Sequence, residues 1–350
     1  MVKRNLSSDD VLTREPAGKD LELDLTLRPK RFEDFVGQPG VKETLRIYIQ
    51  AAQQRKEPLD HILFSGPPGL GKTTLAHIVA AEMGAQIKPT SGPVLEKAGD
   101  LAGILTNLER GDVLFVDEIH RIGKAVEEYL YSAMEDFAID ILLDQGANAR
   151  SVRIDIKKFT LIGSTTREGL LSSPMRSRFG IVEKLEFYPP EDLAQIIRNS
   201  ARILSVKIDE KGCETISRRA RGTPRVANRL LSRIRDFAQV KANNVITESA
   251  ALDGLRMLRI DEHGLCAMDR RILQAVARQN GVPVGLKNIA VTVDETEDTI
   301  EEVYEPYLIQ SGYLVRTPRG RVVTDQAYQA LGMATPGDRQ GGLFGNGRTA

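Results

Sequence analysis

The sequence predicts an α/β protein in three parts: a mostly parallel sheet with helices on both faces, a small all-helical domain, and a C-terminal winged helix. Three observations carry that prediction. Short apolar runs at His61–Ser65, Leu75–Met83, Val113–Val116 and Phe159–Gly163 alternate with helical stretches, the order of a parallel sheet whose crossovers cover its faces. After Tyr188-Pro189-Pro190 the pattern becomes helical throughout. Near Ile260 a third composition begins, in which helices lead into a short hairpin.

The elements follow in order. Residues 1–20 are polar, carry Pro16 and Gly18, and read as a loose arm. The sheet domain is expected over 21–187, with a helix at Val41–Gln54 ahead of the first apolar run. The helical domain, 188–259, is expected to hold helices at Asp192–Leu204, Asp209–Ala220, Pro224–Lys241 and Glu248–Leu258. The winged domain, 260–333, reads as helices at Asp269–Gln279, Leu286–Ala290 and Glu297–Gln310. A hairpin follows, Tyr313–Arg316 and Arg321–Thr324, turning at Thr317-Pro318-Arg319-Gly320. The tail, 334–350, is glycine-rich with only Leu343 and Phe344 as large apolar residues, and is expected to be disordered.

Composition excludes several classes. In 350 residues, 41% hydrophobic and 27% charged are ordinary values for a folded soluble chain. No apolar run approaches the roughly 18 residues a membrane span needs, and the polar N-terminus has no signal-like apolar stretch. The expectation is a cytoplasmic protein with no membrane partner. Cys213 and Cys266 make no disulfide framework, and none of His61, His77, His120 and His263 has a partner at metal-ligand spacing. Packing or surface roles are the expectation for all four histidines. The 48 basic and 48 acidic residues cancel, so any nucleic-acid contact must come from a local patch or from many copies around a duplex.

The strongest motif is Gly66-Pro67-Pro68-Gly69-Leu70-Gly71-Lys72-Thr73, which fits G-x-x-x-x-G-K-[ST] between an apolar strand and a helix. Gly66, Gly69 and Gly71 let backbone N–H groups turn toward phosphate oxygens, Lys72 reaches the β- and γ-phosphates, and the Thr73 hydroxyl ligates Mg²⁺. Thr74 is a further nucleotide-contact candidate at the start of that helix, whose N-terminal dipole adds positive potential. The strand Val113–Val116 ends in Asp117-Glu118. Asp117 suits the magnesium shell, and Glu118 suits orientation and deprotonation of an attacking water. A dedicated base favours hydrolysis over mere nucleotide binding. The strand Phe159–Gly163 ends in Ser164-Thr165-Thr166. Either threonine can sense the γ-phosphate there, and Thr165 is the named candidate.

These motifs, in this order, resemble the AAA+ ATPases, and within them the RuvB family of Holliday junction branch-migration motors. The similar stretches are RPKRFEDFVGQ (Arg28–Gln38), GPPGLGKTTLA (Gly66–Ala76), LFVDEIHR (Leu114–Arg121), LIGSTTR (Leu161–Arg167), RSRFGIV (Arg176–Val182), GTPRVANRLL (Gly222–Leu231) and EPYLIQSGYLVRTPRGR (Glu305–Arg321). The first five indicate AAA+ in general; the last, on a winged helix, resembles RuvB in particular. The resemblance implies ATP and Mg²⁺ as ligands, with Leu27, Arg28 and Tyr188 lining the nucleotide pocket. It implies Arg178 as an arginine finger acting on a neighbouring subunit's γ-phosphate, with Arg176 as rival, and Arg225 as a sensor in the helical lid. It further implies a homohexameric ring acting in homologous recombination, DNA repair and the SOS response, with RuvA-like and RuvC-like partners. Nucleotide turnover would then shift the lid against the sheet domain and pull duplex DNA.

Two surfaces complete the reading. Alternation at Ile139, Ile141 and Leu143, and again at Val152, Ile154 and Ile156, predicts a β-hairpin across a Gln145–Ser151 turn. One face can pack on the core, while Leu142 falls between Asp140 and Asp144 on the other. Ile139, Ile141 and Leu142 are the candidate contacts for a RuvA-like protein, as the resemblance implies. In the winged domain, Glu297, Asp298, Glu301, Glu302 and Glu305 give the long helix the wrong sign for a groove. From Pro306 up to Asp325 no acid appears, and Arg316, Arg319 and Arg321 do. Arg316 and Arg321, with Arg319 between them, are therefore the expected contacts to the backbone of double-stranded DNA. The competing functions are a clamp-loader-type switch, which the basic wing disfavours, and a non-catalytic DNA-binding adaptor, which Glu118 and Arg178 disfavour.

Overall fold

The computed structural model describes residues 19–142 and 151–336. Residues 1–18, 143–150 and 337–350 lie outside the described residues, and with them most of the expected arm (1–20), hairpin turn (145–151) and tail (334–350). The described residues form two compact units, one of Arg28–Phe187 and one in which the segment up to Leu27 groups with the residues from Tyr188 onward. The first described helix, α1 (Lys19–Thr26), belongs to the second unit. No described helix is long and apolar enough to cross a membrane.

The Arg28–Phe187 unit opens with α2 (Pro39–Arg55), started by Pro39 in its first turn and burying Val41, Leu45, Ile49 and Ala52 on one face. Then come β1 (Ile62–Ser65), α3 (Lys72–Glu82), β2 (Ile87–Ser91), α4 (Ala98–Leu105) and β3 (Val113–Asp117). They are followed by α5 (Lys124–Glu135), β4 (Ala138–Leu142), β5 (Ser151–Asp155), β6 (Thr160–Thr165), α6 (Ser173–Ser177) and β7 (Ile181–Lys184). Strands β2-β3-β6-β1-β7 form one sheet in that order, every pair parallel. Both β1 and β6 are buried at every residue, as strands of a sheet covered on both faces must be. The apolar run Leu75–Met83 belongs to helix α3, where Leu75, Ala76, Ile78, Val79 and Ala80 are buried.

Edge strands β2 and β7 carry no apolar run long enough to announce them. Pro89 and Lys88 suit β2 because an edge strand can spare a backbone donor. The predicted hairpin is present as antiparallel β4–β5, pairing Ile139 with Ile154 and Ile141 with Val152. Its base is core: Ile139 is 1% exposed and packs in one cluster with Met134, Ile156 and Phe159. Further along, Val152 is exposed.

The second unit contains α7 (Pro190–Ile203), α8 (Glu210–Ser217), α9 (Pro224–Lys241) and α10 (Glu248–Met257). Their amphipathic faces bury Leu193, Ile197, Ile216, Leu230, Ile234 and Leu255, and α1 packs on α9. Two short strands, β8 (Lys207–Ile208) and β9 (Val245–Ile246), pair in parallel. The winged part follows as α11 (Ala267–Ala277) and α12 (Leu286–Val293). The predicted helix over Glu297–Gln310 is split. An α-turn, α13 (Glu297–Thr299), widens to π geometry over Ile300–Tyr304 and resumes as α14 (Glu305–Gln310). Pro306 has no N–H to offer the carbonyl of Glu302, which accounts for the break in the α ladder. The wing is β10 (Leu314–Thr317) paired antiparallel with β11 (Gly320–Val323), ahead of α15 (Asp325–Ala330).

A buried ion pair ties the helical and winged parts together within this unit. Arg221 bonds Asp269, their side chains 4% and 0% exposed, and the guanidinium lies 4.7 Å over the Tyr307 ring. Tyr307 in turn donates to the His263 carbonyl at 2.8 Å.

The wing turn depends on Gly320. Its φ is +138°, and an added Cβ would lie 2.4 Å from the Val284 carbonyl oxygen, where Val284 and Arg321 exchange backbone bonds of 2.9 and 2.7 Å. Gly320→Ala should destabilise the second unit by about 1–3 kcal/mol. Urea denaturation of the two chains measures that difference.

Candidate functional site

Strand order brings the predicted motifs to one place. Because β3, β6 and β1 are neighbours, the residues following their carboxyl ends share one edge of the sheet: the loop from Gly66, the pair Asp117-Glu118, and Ser164-Thr165-Thr166. Parallel sheets bind ligands at that edge. The Gly66 amide donates to the Thr165 carbonyl at 3.2 Å, tying the loop to β6.

The loop is a glycine cradle. Gly66, Gly69 and Gly71 have φ of +134°, +82° and +101°, and a Cβ on Gly66 would lie 2.6 Å from the Leu185 carbonyl oxygen. Gly71 precedes α3 and, having no side chain, offers no cap of its own to the amides of the first turn. Lys72 is buried, and its ammonium donates to the carbonyls of Gly66 and Pro67 at 2.7 and 2.9 Å. That fold-back places a positive charge inside the loop, where phosphate is to be received. Thr73 and Thr74 lie half-buried in the first turn of α3.

The acidic pair is held by hydroxyls from β6. Ser164 bonds Asp117 Oδ1, which also accepts the Glu118 N–H at 3.1 Å. Glu118 has φ +51°, an unusual conformation for a glutamate. It is supported by a bond from the Arg121 N–H to its carbonyl at 2.9 Å. Gly92 lies so close that a Cβ there would come within 2.3 Å of that carbonyl oxygen. The Glu118 carboxylate receives the Thr166 hydroxyl at 3.3 Å and lies 3.4 Å from His120 Nε2. Burial, then the charges of Arg167, Arg121 and Lys72, hold the His120 pKa below its ordinary value.

The structure separates the two threonines. Thr165 is fully buried and its hydroxyl is engaged by His120 Nδ1 at 2.9 Å and the Arg167 N–H at 3.0 Å. Thr166 is the residue whose hydroxyl reaches the acidic pair. Side chains alternate along a strand, so the Thr165 hydroxyl is engaged internally while Thr166 turns to the acidic pair. Sequence reasoning also passed over Ser164 and His120. The signal for His120 is its place two residues after Glu118, but a lone histidine there is as compatible with a packing or surface role.

Arg178 follows α6 and is carried by α5. Its guanidinium donates to the Pro174 carbonyl at 2.7 Å and to Glu135 at 3.0 Å, and it lies 4.3 Å over the Tyr131 ring. Tyr131 is anchored to Glu127 and to Ser172, at 2.5 and 2.8 Å. Arg176 is exposed. Of the other pocket candidates, Arg28 is half-buried in the sheet unit. In the second unit Leu27 and Tyr188 are buried, the Tyr188 amide donating to the Gly222 carbonyl at 2.8 Å. Arg225 is exposed in the first turn of α9.

One surface assignment needs correction, and a second expected contact faces inward. Ile139 belongs to the sheet unit's core and is inaccessible to a partner; the side chains of Ile141 and Leu142 lie outside the described residues. Arg321, expected as a DNA contact, is turned inward in the free chain. Its side chain is 9% exposed and bonds Glu305, itself 2% exposed, through both Nε and Nη2. The buried carboxylate offers the guanidinium a desolvated bidentate partner. Arg316 pairs with Glu301 but keeps 56% of its side chain exposed. Arg319, at the turn, is exposed with no ion pair among the described residues.

Comparison with known proteins agrees with this geometry. A family model described as the Holliday junction DNA helicase RuvB P-loop domain matches residues 27–185. The RuvB AAA lid domain matches 188–261, and the RuvB C-terminal winged helix domain matches 262–332. Among solved structures, the Thermotoga maritima RuvB Holliday junction branch migration motor is 51% identical, with a TM-score of 0.82, over 89% of this chain and 100% of that one. A single-substitution variant of the same Thermotoga protein is 52% identical, with a TM-score of 0.83, over 89% of this chain and 99% of that one. With all three domain models matched in order, and half of the aligned residues shared with a solved member, the chain belongs to the RuvB family.

Proposed function

We propose that this chain is the ATP-hydrolysing motor that drives branch migration at Holliday junctions, working in the cytoplasm as a homohexameric ring around duplex DNA. The observation that carries the reading is the convergence of phosphate loop, acidic pair and hydroxyl layer on one sheet edge, in a chain that ends in a winged helix. The nucleotide phosphates rest in the cradle of Gly66, Gly69 and Gly71, with Lys72 and the α3 amides supplying positive potential. Leu27, Arg28 and Tyr188 hold the base and sugar end, and Arg225 reads nucleotide from the lid. The Thr73 hydroxyl and the Asp117 carboxylate, the latter oriented by Ser164, suit a magnesium ion, which when bound supplies charge to the β- and γ-oxygens.

Glu118 then takes a proton from water as that water attacks the γ-phosphorus, and the bond to the ADP oxygen breaks. Thr166 adjoins the carboxylate and registers loss of the γ-phosphate. Arg178 supplies the remaining cation in trans. Its own-chain partners are Pro174, Glu135 and Tyr131, none of them a phosphate-loop residue, which suits a group presented outward to a neighbour's nucleotide. Partner recognition is assigned to the outer part of the β4–β5 hairpin, at Ile141 and Leu142, next to the exposed Val152 of the facing strand. A RuvA-like junction-binding protein is its partner, with a RuvC-like resolvase acting on the same junction. Arg319 and Arg316 at the wing contact the DNA backbone without reading bases, as a motor that must pass any sequence requires.

Glu118→Gln should retain ATP binding and ring assembly while kcat falls about 10²–10⁴-fold; parental turnover in a coupled ATPase assay would remove its role as base. Mixing inactive Arg178→Ala with inactive Lys72→Ala chains should restore part of the ATPase activity. No recovery would place the arginine's action in its own chain. Arg319→Ala should weaken duplex binding and lower the salt slope by about one. Arg321→Ala should instead leave the salt slope unchanged and cost about 3–5 kcal/mol of stability through the stranded Glu305. The reading as a whole is tested by a branch-migration assay on a synthetic four-way junction, with and without a RuvA protein and ATP.

A further inference from the structure

We infer that His120 is the positioning residue for Glu118, locking one carboxylate oxygen so that the base meets its water in a single orientation. This rests on the reading of Glu118 as the base. The imidazole side chain is 4% exposed, and both of its nitrogens face groups of the site. Nδ1 lies 2.9 Å from Thr165 Oγ1, and Nε2 lies 3.4 Å from Glu118 Oε2.

Proton accounting gives the ring its direction. Thr165 Oγ1 already accepts the Arg167 N–H at 3.0 Å, and the residue is fully buried, so its own hydroxyl proton needs an acceptor. Nδ1 is that acceptor. The ring proton is then on Nε2, which lies 3.4 Å from the carboxylate oxygen. Oε2 of Glu118 thus faces two donors, His120 Nε2–H and the Thr166 hydroxyl at 3.3 Å.

The arrangement is rigid at both ends. Thr165 is the last residue of β6, in register with Ser65 of the central strand. The backbone of Glu118 is confined by its positive φ, with the Gly92 Cα packed against its carbonyl. A long glutamate side chain has three rotatable bonds, and the His120 and Thr166 contacts remove the freedom the backbone leaves. Hydrogen bonds of this kind tighten in the reacting complex, and a misplaced base of about 1 Å costs on the order of 10²-fold.

The test compares His120→Ala, His120→Gln and His120→Asn in the full chain with Glu118→Gln. Steady-state ATPase activity and binding of a fluorescent ATP analogue are measured for each. His120→Ala should lower kcat about 10–100-fold with KM and analogue affinity unchanged. His120→Gln, whose amide can donate where Nε2 does, should recover most of that loss. His120→Asn, whose amide reaches only the Nδ1 position, should not. Adding His120→Ala to Glu118→Gln should bring no further loss, since both act through one carboxylate.

Parental turnover in His120→Ala, equal rates for the Gln and Asn variants, a fall in analogue affinity parallel to kcat, or a multiplicative loss in the double variant would each overturn the role. Parental turnover in Glu118→Gln would instead overturn the reading of Glu118 as base, and the positioning role with it.

Discussion

The site depends on one constraint: three parallel strands, β3, β6 and β1, must lie side by side and end together. A phosphate loop alone binds phosphate, and an acidic strand end alone is a cap. Only when Asp117 and Thr165 stand on adjacent strands, and Thr165 pairs in register with Ser65, do cradle, carboxylates and hydroxyls converge. The driving force is apolar burial on both faces of the sheet. Leu63, Phe64, Leu114, Val116, Leu161 and Ile162 are each at most 2% exposed, and a shift of one residue in any strand would swap its side chains between the two covered faces and break their packing. Core packing therefore sets the registration of the chemistry.

At the edge of that sheet, three successive hydroxyls do three different things because a strand alternates its side chains. Ser164 and Thr166 share a face and hold Asp117 and Glu118. Thr165 turns to His120, whose opposite nitrogen faces Glu118. The acidic pair is thus gripped from two directions, and the left-handed backbone at Glu118 is tolerated because the surrounding contacts determine it. Such conformations cluster where function asks for preorganisation. Gly92 has the same origin, since the Glu118 carbonyl occupies the space a Cβ would fill.

The winged domain shows how charge is redistributed by folding. Its long helical stretch is acidic in sequence and its wing basic, yet much of that contrast is spent internally. Glu305 takes Arg321 out of solvent, and Glu301 draws Arg316. What remains outward is smaller than the residue count suggests, and it centres on the turn. The buried Arg221–Asp269 pair, stacked on Tyr307, serves a different purpose. It joins the helical and winged parts of one compact unit with a contact that is costly to break.

From sequence alone, the three-part order, the phosphate loop, the acidic pair, the central strands β1, β3 and β6, and the family were legible, because each rests on local pattern or fixed spacing. Helix α9 was predicted to its ends, Pro224–Lys241, since a proline start and an amphipathic run are local signals. The edge strands β2 and β7 were not legible: an edge strand needs no unbroken apolar run. Nor could the sequence decide between Thr165 and Thr166, or say that Ile139 and Arg321 are buried while Arg319 is exposed. Those outcomes depend on which face of a strand meets the core and on which carboxylate, sixteen residues away in the chain, arrives beside a guanidinium. Residue type and spacing name the candidates; long-range packing allots each one its partner.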